Sequence, residues 1–111
     1  MDILDVSQAP DACTLPTAEQ PLRIAEFDRL FAYASEVDRS GPQTARIALP
    51  SRPEVAAQAA HLVVRETQCC SFFTFSLTAT GGRLHLDVKV PKSQTSVLDS
   101  VVSRVERARS A

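Results

Sequence analysis

The spacing of apolar side chains along this 111-residue chain predicts an α+β fold. The expected form is a two-layer sandwich, with helices on one face of a three-stranded, at least partly antiparallel sheet. Three observations carry this expectation. Residues 73–90 read as two alternating strands about Gly81-Gly82, and residues 44–49 alternate in the same way. Three further stretches repeat apolar residues at the helical period.

Residues 1–20 contain Pro10 and Pro16 and little periodicity, which predicts an extended N-terminal arm ahead of a single domain over 21–108. Pro21 suits the first turn of a helix, where its missing N–H costs nothing. In "PLRIAEFDRLFAYAS" the residues Ile24, Phe27, Leu30, Phe31 and Ala34 form one stripe for burial. "DRSGPQ" then breaks the chain at Gly41 and Pro42. "TARIALP" sends Ala45, Ile47 and Leu49 to one side of a strand and Thr44, Arg46 and Ala48 to the other. "SRPE" predicts a capping box between Ser51 and Glu54. It opens a helix to about Gln68 whose inner face is Val55, Ala59, Leu62 and Val63.

Gly81-Gly82 suits the positive φ angles of a two-residue hairpin turn. Such a turn pairs Ala79 with Leu84, Leu77 with Leu86, Phe75 with Val88 and Phe73 with Val90 on one face. The other face then carries Thr78/His85, Ser76/Asp87 and Thr74/Lys89. A one-residue slip would mix the two sets, so the register is well determined. Ser96 and Asp99 are positioned to cap a last helix with Val97, Val101, Val105 and Ala108 in line. The predicted order is α-β-α-β-β-α, resembling half of a ferredoxin-like fold.

Hydrophobic residues make up 44% of the chain, charged residues 23%, and the net charge is −1. The basic residues are scattered among acids, so a nucleic-acid or membrane partner is not expected. No apolar run approaches the roughly 18 residues of a membrane span. "MDILDVSQAPDAC" opens with an acid and has no basic leader, unlike a secretory signal. Three cysteines show no disulfide framework, and a reducing cytoplasm is the expected setting.

"RETQCCSFFTF" places Cys69 and Cys70 side by side where a helix hands over to a strand. Glu66 lies three and four residues before them, within reach along a helix. The negative end of the helix dipole opposes thiolate formation there, and Arg65 is close enough in sequence to offset it. Three readings stand. Both thiols can be small apolar fillers beside Phe72 and Phe73, since free cysteine is often buried. They can capture a soft ion such as Hg(II), Cu(I) or trivalent arsenic, for which polarizable thiolates are suited. They can also perform thiol chemistry, with Glu66 or Asp11 as proton donor. Two sulfurs suffice for a linear ion, and Cys13 on the arm would make a trigonal site. His61 and His85 read as surface residues, and no C-x-x-C or H-E-x-x-H spacing points to zinc. "TATGGR" is a turn and not a phosphate cradle.

The segments "CTLPTAEQPLRIAEFDRLFA" and "ETQCCSFFTFSLTATGGRLHLDVKVP" resemble a group of small bacterial domains. These carry C-[ST]-L near the start and E-x-x-C-C-x-F-F later, and they occur alone or fused behind MerR-type DNA-binding domains in metal-stress regulators. The resemblance runs from Cys13 to about Val102. It implies a role in the response to heavy metals or metalloids, with Cys13, Cys69 and Cys70 as metal ligands and Glu66 beside them. No helix-turn-helix pattern accompanies them here, so the resemblance implies a stand-alone binder, carrier or enzyme. For an enzyme, Cys69, Cys70 and Glu66 would be the catalytic group.

Overall fold

The computed structural model of the chain describes residues 20–109, with the side chains of residues 24–109. The arm predicted over 1–20 lies outside this range except for its last residue. Three helices, α1 (Gln20–Phe31), α2 (Pro53–Cys69) and α3 (Thr95–Arg109), accompany four strands. The strands are β1 (Glu36–Gly41), β2 (Thr44–Leu49), β3 (Thr74–Thr80) and β4 (Arg83–Lys89). A short 3₁₀ turn, Lys92–Gln94, leads into α3.

The sheet has four strands rather than the three expected, in the order β1-β2-β4-β3, and every neighbouring pair is antiparallel. The element order is therefore α-β-β-α-β-β-α. The extra strand is β1, an edge strand whose residues are exposed or half-buried in alternation. Its sequence, EVDRSG, has one apolar side chain to signal a buried face, so period-two reasoning passes over it. Gly41 and Pro42 do mark a turn, but it is the hairpin turn between β1 and β2. Strands β2 and β3 flank β4 and run parallel to each other, joined through α2 as a split β-α-β unit.

The β3–β4 hairpin has the expected register from Thr74/Lys89 to Thr80/Arg83. Gly81 at φ +58° and Gly82 at φ +75° supply the left-handed turn that this pairing requires. Ala45, Ile47 and Leu49 sit opposite Val88, Leu86 and Leu84 of β4, so the inward rows of both strands coincide. These rows pack with Leu30, Val55, Ala59, Leu62, Leu98 and Val105 from the three helices in one core. The opposite face bears Asp38, Arg46 and Asp87 in a row across three strands.

Helix boundaries differ from expectation in instructive ways. Helix α1 stops at Phe31, and two i→i−3 bonds, Tyr33 N–H to Leu30 O and Ala34 N–H to Phe31 O, close its end. Ala34 is still buried, but Ile24, expected in the buried stripe, is 40% exposed. The capping box at Ser51 does not form. Pro53 takes the first helical position, which makes Arg52 the N-cap, without a side-chain capping bond. Helix α3 likewise starts at Thr95, one residue before Ser96, with Thr95 Oγ1 donating to Lys92 O. Its buried residues are Leu98 and Val105, whereas Val97, expected in the stripe, is only half-buried.

Ion pairs join α3 to α1, Arg104 to Asp28 at 2.9 Å, α2 to α1, Arg65 to Glu26 at 3.2 Å, and β1 to α3, Arg39 to Asp99 at 2.8 Å. Among the described residues no helix is long and apolar enough to cross a membrane.

Candidate functional site

The core-facing stripe of α2 runs Val55, Ala59, Leu62 and continues at the same spacing to Glu66. One more turn brings it to the two cysteines. Cys69 is the last residue of the helix, and Cys70 is its C-cap, with φ −125° and ψ 85°. The Cys70 N–H donates to Glu66 O at 2.6 Å, and Cys70 O accepts from Phe73 N–H at 3.3 Å. The second bond closes a four-residue turn, Cys70 to Phe73, that redirects the chain from α2 into β3.

The two thiols differ. Cys69 is half-buried and lies outside any disulfide. Cys70 is 3% exposed, and its sulfur is disulfide-bonded. Cys69 is in no disulfide, so the adjacent pair is not a vicinal one. A disulfide was not expected from the cysteine spacing. In this state Cys70 is no thiolate, and its ligand role would belong to the reduced protein. Cys13 and Asp11 fall outside the described residues. Among the described residues no three His, Cys, Asp or Glu side chains are gathered so as to hold a metal ion.

Arg65 reaches across to α1. Its Nη1 lies 3.2 Å from Glu26 Oε2 on α1 and 3.3 Å from His61 Nε2. The guanidinium is committed to the α1–α2 seam, so a carboxylate already screens the charge that was to offset the helix dipole. His61 is exposed, as expected. His85 stands on the sheet face away from the core, paired in register with Thr78, and its Nε2 is 3.9 Å from Asp87 Oδ2. Neither histidine belongs to the cysteine end of α2.

Sequence reasoning did not find the cavity beside this turn. It has a volume of about 140 Å³ and lies between α1, the end of α2, α3 and the covered face of the sheet. Phe27, Phe31, Phe73 and Phe75 line it, with Glu66 and Arg104 as the charged members of its wall. The rings are in mutual contact: Phe73 and Phe75 stack at 5.1 Å between centroids, and Phe27 and Phe31 tilt together at 5.7 Å. Phe72 packs on Phe73 at 4.6 Å, next to the thiol turn. Arg104 is held by Asp28, which fixes its guanidinium at the wall. One sequence signal was available, because Glu66 extends an otherwise apolar stripe and a carboxylate there must face either a partner or a hollow.

No family model, curated protein or solved structure matches this chain.

Proposed function

We propose that the reduced protein is a cytosolic thiolate binder or carrier of a soft heavy-metal or metalloid ion, such as mercury(II) or arsenic(III), acting in metal stress. Cys69 and Cys70 are the core ligands, and Cys13 closes the site. The observation that supports this reading is the adjacency of Cys69 and Cys70 at the C-terminal end of α2, one turn after Glu66. Reduction of the Cys70 disulfide leaves two neighbouring thiols, Cys69 and Cys70. Soft ions prefer such donors, and the negative end of the α2 dipole favours a cation there while disfavouring bare thiolates.

The test is titration of the protein with Hg(II) or arsenite, with and without prior reduction. Uptake is expected only after reduction, because oxidised Cys70 has no sulfur lone pair free as a thiolate. The double variant Cys69→Ser/Cys70→Ser should lose tight binding, and Cys13→Ser should weaken it. Unchanged affinity in the double variant rules the proposal out. If all three thiols resist labelling in the reduced native protein, and metals do not alter this, the cysteines are structural and the chain is an interaction domain.

A second reading draws on the position of Glu66 in the cavity wall, one turn before Cys70. In a carbon–metal cleaving enzyme, the departing carbon would take the proton of the Glu66 carboxyl as its bond to mercury breaks. The metal would stay on two thiolates, and the carboxylate would be reprotonated from solvent. Release of benzene from phenylmercury beyond one equivalent, lost in Glu66→Gln, would favour this enzyme over the carrier.

A further inference from the structure

The cavity and the thiol turn share a backbone. Cys70 donates to the carbonyl of Glu66 and accepts from the N–H of Phe73, and both of these residues line the cavity. Glu66 lies four residues before Cys70 and Phe73 three after it, so a ligand held at the turn sits beside two residues of the chamber wall. The chamber is distinctive in its lining. Apart from Glu66 and Arg104 it is walled by hydrocarbon, including four phenyl rings. Its volume of about 140 Å³, in a pocket open on one side, is of the same order as the roughly 150 Å³ apolar cavities that accept benzene. Aromatic walls favour an aromatic guest through edge-to-face and offset contacts. A bare ion, by contrast, has nothing to gain from hydrocarbon and would stay with the sulfurs.

We infer that this cavity seats the organic group of the ligand, so that the protein takes a soft ion carrying one phenyl-sized apolar substituent rather than the naked ion. The inference rests on the soft-ion reading of Cys69 and Cys70. A trivalent monoaryl arsenical illustrates the chemistry. Its two exchangeable positions go to two cysteine sulfurs, R–As=O and two thiols giving R–As(S)₂ and one water, with no change in oxidation state. The aryl group keeps its bond to arsenic and enters the chamber.

The experiment compares phenylarsine oxide with its methyl counterpart on the reduced full chain, each referred to its affinity for dithiothreitol. Burying a phenyl ring should favour the phenyl compound by at least about tenfold over that reference. Val101→Phe, which projects a ring into the chamber from α3, should bring the preference back to the dithiothreitol value, with the fold checked by circular dichroism. Benzene titrated without any metalloid should shift the methyl resonances of Val88, Leu86 and Val101, which line the cavity. This arm decides occupancy even where Val101→Phe fails to fold. A phenyl preference no greater than that of dithiothreitol, or benzene leaving these methyls unmoved, overturns the inference while leaving the ion site standing. Failure of both arsenicals and of arsenite to bind, with benzene still entering, would instead overturn the soft-ion reading and with it this ligand assignment.

Discussion

The two faces of the sheet are built from the same strands and obey opposite rules. On the covered face Ile47 and Leu86 are fully buried side by side, in the centre of a core fed by all three helices. On the open face Arg46 and Asp87 form a bidentate pair at 2.8 and 3.2 Å between the same two strands. The apolar pair acts by excluding water and cannot be replaced by solvent. The ion pair sits in water, which competes for both partners. Covered and open sides are thus one residue apart in sequence and far apart in what a substitution costs. The cavity is the exception on the covered side, where packing leaves a hollow beside a carboxylate.

Ile47→Ala is the most damaging test of this contrast. It should lower the unfolding free energy by about 4 kcal/mol in urea denaturation, because the site is enclosed on all sides and cannot collapse. A loss below about 1 kcal/mol would mean the covered face is not close-packed. The register that assigns residues to faces is probed at the turn. Gly81 adopts φ +58° with open space around it, so Gly81→Ala meets no neighbour and tests backbone strain alone. A cost of about 1 kcal/mol is expected in the same measurement. On the open face, Arg46→Ala should leave the melting temperature unchanged at moderate salt.

The pH behaviour of Arg46 follows from the same pair. Hydrogen bonding to Asp87, followed by its charge, raises the Arg46 pKa above its ordinary value. A raised folded-state pKa contributes stability that is complete below the unfolded value and is lost only as pH rises through the folded one. For a guanidinium that window is strongly alkaline. Calorimetry across the neutral range should therefore show no pH dependence that Arg46→Ala removes.

The legibility of the molecule follows the range of its contacts. The β3–β4 register and the Val55, Ala59 and Leu62 stripe could be read directly, because each depends on residues a few positions apart. Strand β1 could not, since its place is secured by pairing with β2 and by Arg39 reaching Asp99 on α3. At the candidate site, Glu66, Cys69 and Cys70 were identifiable by spacing on α2. Arg65 was read as able to offset the helix dipole because it is close to the thiols in sequence, yet its guanidinium pairs with Glu26 on α1.

By itself, then, the sequence determined the repeating parts: which way each strand residue points, where the glycine turn falls, and that two cysteines end a helix. Only the tertiary structure decided that the sheet has a fourth strand, that the two cysteines are unequal, and that phenyl rings from α1, the turn and β3 line one pocket. The reason is physical. Side-chain direction follows local dihedral periodicity, whereas hollows, ion-pair partners and sulfur–sulfur bonds arise between segments whose distance apart no local pattern encodes.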